Sequence, residues 1–164
     1  MGSARRTFLS AGIVALALFF ATETMAFRTP EALIRAIYLP LLDDTAPLPA
    51  PIRIYGADTL GLIRTFQGHN SGGLGFLPFV DGQNVDIAAF SARQIRLDGV
   101  SAEIVVKFTN FGEPNRLNYS LVREIDGWRI HDISGMWASG PWSVRELLVA
   151  DPSRLGLAEA MASP

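Results

Sequence analysis

The chain has 164 residues, with fourteen basic and sixteen acidic side chains, a net charge of −2 and no cysteine. That length suits one domain with a real core, and the missing cysteine excludes a disulfide framework, thiol catalysis and a cysteine-ligated metal. Lys107 is the one lysine and the arginines are scattered, so no basic run is present, which argues against DNA or RNA as a partner.

Arg5-Arg6 precede an apolar run from Ala11 to Ala21, and the polar Thr22-Glu23-Thr24 leads to Met25-Ala26. A basic start, an apolar core and a small-residue cleavage site make a secretory signal peptide. Eleven apolar residues fall short of the roughly 20 that cross a bilayer, so a leader over 1–26, cut after Ala26, is expected. Ala4-Arg5-Arg6-Thr7-Phe8-Leu9 resembles the bacterial twin-arginine signal, whose pattern is two arginines, any residue, then Phe-Leu. Ala4 stands where that signal commonly has Ser or Thr, and Ser10 where it usually has Lys. The resemblance implies a domain exported already folded, the general secretory route being the alternative, with the periplasm as its location. No cysteine is available for acylation at the cleavage site, so no stable membrane anchor is expected after cleavage. Loss of Arg5, Arg6 and Glu23 leaves twelve basic residues against fifteen acidic ones.

Residues 31–42 place apolar side chains at 33, 34, 37, 38, 41 and 42, the spacing of a helix with one buried stripe. Thr29 can cap it and Pro30 can open it, while Pro40 should kink or end it. Three prolines within 46–51 predict an extended link. A second helix starts near Asp58 with Leu62 and Phe66 four apart, and is stopped by the glycine-rich stretch 68–73. The period then changes to two. Strands are expected over 86–95, 100–109, 116–125 and 128–133, with Asp126-Gly127 as a tight turn. Ser143 caps a short final helix over 143–150, with Glu146 three residues on, and 152–164 forms a tail. Helices first and antiparallel strands after make an α+β order for a single domain over 27–151.

Gly127-Trp128-Arg129-Ile130-His131-Asp132-Ile133, followed by Trp142-Ser143-Val144-Arg145-Glu146-Leu147-Leu148, resembles the DUF3828 family of small exported bacterial domains of unknown function. Gly75-Phe76-Leu77-Pro78-Phe79 and Asp81-Gly82-Gln83-Asn84 resemble the family's segment before its first strand, although Pro78 and Asn84 depart from its more usual Phe-Asp-Pro and Gln-Asp. The likeness spans about residues 30–150. It implies an NTF2-like, cystatin-like architecture: a strongly curved antiparallel sheet with helices across its concave side and room for a pocket between them. It supplies no reaction, and the residues show no recognisable cofactor site.

A two-residue turn at Asp126-Gly127 would set Ile125 opposite Trp128, Arg123 opposite Ile130 and Leu121 opposite Asp132. Strand alternation then gathers Tyr119, Arg123, Trp128 and Asp132 on one largely apolar surface. There Arg123 and Asp132 pair with each other, as partly buried charges must, hold a polar ligand group, or are simple surface positions. The same register sets Glu124 opposite Arg129 as a surface ion pair. Trp137 and Trp142 either cover the open end of the sheet or form a partner surface. His69 and His131 have no placed metal partners and Asp43-Asp44 lacks calcium-loop spacing, so no metal site is assigned. No nucleophile elbow or phosphate fingerprint appears. The expected function is non-enzymatic binding of a small ligand or a periplasmic protein. The alternative is a small-molecule enzyme with acid–base chemistry on Tyr119, Arg123 and Asp132.

Overall fold

The computed structural model describes residues 27–43, 47–69 and 73–150. The expected leader and the tail over 152–164 lie outside these residues. Helix α1 (Pro30–Asp43) begins as the sequence predicts: the Thr29 hydroxyl accepts the Ala32 amide at 3.1 Å, satisfying one of the amides that a helix start leaves without a partner. Pro40 does not end it, and the helix runs on to Asp43. The proline-rich link holds a surprise as well. Pro51 opens a single helical turn, α2 (Pro51–Ile54), where its fixed φ and missing N–H cost nothing. Helix α3 (Ala57–His69) continues through Gly68.

Five strands follow: β1 (Ile87–Leu97), β2 (Ser101–Asn110), β3 (Glu113–Glu124), β4 (Gly127–Trp137) and β5 (Gly140–Ser143). The short helix α4 (Val144–Val149) closes the described chain, and the Ser143 hydroxyl accepts the Glu146 amide at 3.1 Å as its cap. The strands run as an antiparallel meander in the order β1-β2-β3-β4-β5. The expected NTF2-like, cystatin-like curved sheet is not what this chain builds: the sheet is open, neither strongly curved nor closed. Every connection joins sequence neighbours, β5 is only four residues long, and β1 pairs with β2 alone. The two ends of the sheet therefore have no shared ladder that could draw them together.

The core lies between α1 and one sheet face. Leu33, Ile37 and Tyr38 from the helix meet Ile104, Val106, Leu117, Tyr119, Leu121, Ile130 and Ile133, all essentially without solvent exposure. Alternation places the odd positions of β2 on the other face, so the sheet is half packed and half solvated, as is usual for antiparallel sheets. The outer edge of β4 is closed by backbone from the N-terminal part. Trp128 donates its amide to the Phe27 carbonyl, and Gly56 donates to the Ile130 carbonyl, both at 2.8 Å. Gly56 is closely packed there: a Cβ would lie 3.1 Å from Glu124 Oε1 and 3.3 Å from Val122 Cγ1, so either neighbour would have to give way. Glu124 accepts the Ala57 amide at 2.7 Å, which sets a carboxylate against the positive end of α3.

Candidate functional site

The β3–β4 hairpin does not turn where Asp126-Gly127 suggests. Glu124 pairs with Gly127 and Arg123 with Trp128, so the loop residues are Ile125 and Asp126. Gly127 takes φ 124°, a conformation that only glycine adopts without strain. An Asp-Gly pair can supply either both loop residues or the last loop residue and the closing glycine. Here it does the second. A further register shift beyond Ser120 leaves His131 without a partner, so Leu121 pairs with Ile130 and Ser120 with Asp132.

These two shifts separate the expected pocket. Tyr119 and Trp128 point into the core, 1% and 3% exposed. Arg123 has their parity but stands exposed beyond the core. Asp132 is on the opposite parity, level with Ser120 and three residues, or about 10 Å of strand, from the Arg123 level. Its carboxylate accepts the Arg145 amide at 3.1 Å and the Ile133 amide at 2.8 Å, so it helps to anchor the start of α4. Arg129, level with Val122, binds Asp126 and the Trp128 carbonyl. The expected Glu124–Arg129 pair therefore does not form. Tyr119 is held by a buried contact with the Tyr38 hydroxyl at 2.9 Å, and Tyr38 donates to the Phe79 carbonyl at 2.8 Å. Burial pushes the Tyr119 hydroxyl well above its ordinary pKa, and the neighbouring Tyr38 adds to that. Such a phenol holds its proton.

Trp137 and Trp142 form a different arrangement from a loose loop. Gly140 pairs with Trp137 and Trp142 with Gly135, which makes residues 137–142 the tip of a β4–β5 hairpin. The two indoles stack at 5.4 Å, and Phe76 meets both edge-on at 5.5 and 5.2 Å. Trp142 is only 3% exposed, so it belongs to the packing rather than to an open surface. Trp137 is half-buried, and its indole donates to Asp81 at 2.7 Å. The Trp142 indole nitrogen lies near the same carboxylate yet makes no hydrogen bond. Burial raises the Asp81 pKa, opposed by these two indoles. A folded-state pKa above the unfolded one stabilises the fold at low pH, and that contribution is lost as pH rises. Asp81→Asn keeps an acceptor for Trp137 without the charge. At neutral pH it should therefore leave the thermal midpoint unchanged or raised, and it should flatten the rise in stability on mild acidification; a clear drop at pH 7 would contradict this account.

Phe76 also lines an apolar concavity, a groove of about 410 Å³ between the 47–50 link, α2, α3, residues 73–79 and α4. Ile54 and Tyr55 form part of its wall with Phe66 from α3, Phe79 from the loop and Leu148 from α4. Tyr55 stacks on Phe79 at 6.2 Å, and its hydroxyl is pushed up, first by burial and then by the Asp132 charge. Tyr55, the one acidic or basic side chain in this wall, thus keeps its proton. No family model matches the chain, and no curated protein matches it. Among solved structures, one chain of the type VI native effector–immunity complex Tae3-Tai3 from Ralstonia pickettii is similar. Identity is 24%, coverage is 68% of this chain and 98% of that one, and the TM-score is 0.49. At that overlap the likeness bears on no functional question. The groove was not foreseen because two of its walls, 48–50 and 73–79, come from segments read as connections, and these meet the predicted helices only in the fold. The available signal was the density of apolar residues, Leu74, Phe76, Leu77 and Phe79, in a stretch that its glycines mark as a loop.

Among the described residues no group of three or more His, Asp or Glu side chains is placed to hold a metal ion, and no helix is long and apolar enough to cross a membrane.

Proposed function

We propose that this protein is an exported, non-enzymatic interaction domain whose groove takes an apolar segment of a protein partner. The observation that carries this reading is the contrast between the two candidate regions. The sheet–helix interior, where a ligand pocket was expected, is filled by side chains at 0–1% exposure, whereas the groove is open and apolar and joins four separate segments. Acid–base chemistry needs groups within reach of one another; Tyr119 and Arg123 share a face but stand four residues apart along β3, and Asp132 is on the opposite parity. Export is the reading of the leader, with the periplasm as its destination.

Native mass spectrometry of the protein purified from its own exporting cells tests the proposal. A polypeptide should be retained, and Leu77→Asp should release it with the thermal midpoint held, since Leu77 lines the groove and is 37% exposed. A retained small molecule in place of a polypeptide would overturn the partner reading. So would a polypeptide that Leu77→Asp leaves bound.

A further inference from the structure

The solvated face of the sheet carries its charges unevenly. On this face Arg93 pairs in register with Val105, Ser91 with Lys107, and Lys107 in turn with Arg116. Three cations from three strands thus surround one position, with Lys107 and Arg116 directly opposite. Like charges directly opposite on an antiparallel pair destabilise it. All three side chains are exposed, and no carboxylate among the described residues pairs with any of them. The same face shows the alternative a few residues away: Arg96 binds Asp98 and Glu103, each at 3.2 Å. One end of the face is therefore neutralised from within and the other is left positive, in a chain whose net charge is negative.

The cations rim a shallow concavity of about 460 Å³ that also touches Ser91 and Val105. Val105 is only 6% exposed. Long basic side chains cover apolar surface with their stems while their charged ends stay in water, so the site has an apolar floor under a basic rim. Cross-strand and diagonal neighbours on one face stand roughly 5–8 Å apart, close to the roughly 7 Å between alternate side chains of an extended strand.

We propose that the Arg93–Lys107–Arg116 face binds an acidic, extended segment of a protein partner, whose alternate carboxylates meet the three cations while a small apolar side chain rests on Val105. This surface is separate from the groove, and it stands or falls without it. The like-charge pair in the free protein is the cost of keeping the site ready, a common trade between stability and function.

Amide chemical shifts of the mature chain, followed during titration with a capped peptide alternating Glu and Val, provide the test, with inorganic phosphate as the second probe. The peptide should shift Ser91, Val105, Lys107 and Arg116 saturably, and its affinity should fall roughly tenfold or more as salt is raised through the physiological range. Arg116→Gln should weaken binding with the fold intact. Lys107→Glu should abolish binding and at the same time raise the thermal midpoint by a few degrees, because it turns a repulsive pair into an attractive one. Four results would overturn the proposal: no saturation at low salt; a lowered midpoint in Lys107→Glu; saturation of the same amides by phosphate at lower concentration than by peptide; or a salt-sensitive dimer that already occupies this face.

Discussion

Trp142→Ala is expected to remove about 3–5 kcal/mol of folding stability, the range for truncating a large buried aromatic. The indole is packed on three sides. Phe76 and Trp137 hold its ring at 5.2 and 5.4 Å, and Gly135 lies beneath it across the ladder. A Cβ on Gly135 would fall 2.8 Å from Trp142 Cε2, Cζ2 and Nε1. Gly135→Ala should therefore cost about 1–3 kcal/mol through overpacking, although its backbone needs no unusual φ. The two changes share one cause, so the double variant should be less destabilised than the sum of the singles. Chemical denaturation with a double-mutant cycle measures this. Strict additivity would mean that Gly135 is not glycine on account of the indole. Trp142→Phe provides the control: it keeps much of the packing and removes an indole N–H that is buried without a partner, so its cost should lie well below that of alanine.

The second large effect concerns the two buried tyrosines. Tyr38 donates to the Phe79 carbonyl, which leaves Tyr119 as the donor in the bond between the hydroxyls. Removing one oxygen is then not equivalent to removing the other. Tyr119→Phe leaves Tyr38 with its carbonyl partner and should cost about 1 kcal/mol, as for one hydrogen bond. Tyr38→Phe strands both the Tyr119 hydroxyl and the Phe79 carbonyl and should cost about 2–3 kcal/mol. Both hydroxyls titrate above their ordinary value of 10.0, chiefly because burial disfavours the phenolate. The sign follows from linkage. Above about pH 10 the unfolded chain releases these protons while the native one retains them, so stability is full below that pH and falls above it. Unfolding midpoints should decline steeply from about pH 10 upward, and less steeply in the Tyr38→Phe, Tyr119→Phe double variant. An unchanged alkaline profile would place the titration elsewhere.

How far the sequence could be read depended on the range of the interactions involved. Thr29 and Ser143 act as caps in the structure as they do on paper, because a cap is settled within four residues of chain. The 3.6-residue stripe of Leu33, Ile34, Ile37 and Tyr38 gave the buried side of α1, and the change to period two gave β1–β4 to within a few residues at most ends. Pro40 does not end α1, which buries Ile37 and Tyr38 just before it and runs on to Asp43. The Trp137–Trp142 stretch hid a strand, since four residues with two glycine or proline positions carry little strand signal.

The candidate site was much less legible. Its expected form rested on a single register, and register in a hairpin depends on how the turn is closed. Moving the loop from Asp126-Gly127 to Ile125-Asp126 slid the register by two residues, which keeps parity but carries Arg123 from Ile130 to Trp128; the bulge that leaves His131 over then sent Asp132 to the other parity and took the Tyr119–Arg123–Asp132 grouping apart. The apolar groove was invisible for another reason, because its walls come from residues as distant in the chain as Leu48 and Leu148.

What the sequence by itself determined is therefore what local chemistry decides: a leader-like start, an α+β order of elements, the caps, the core stripe and a chain with no cysteine. Tertiary structure decided everything that depends on which residues become neighbours. It made an open meander where a curved sheet was expected, joined loops into a groove, and buried Trp142. It also brought Arg93, Lys107 and Arg116 together on three adjacent strands, so that basic residues with no pattern along the chain form a patch on the sheet. Spacing along a sequence is fixed by covalent bonds, whereas spacing across a sheet is fixed by hydrogen-bond register, and only the second places charges side by side.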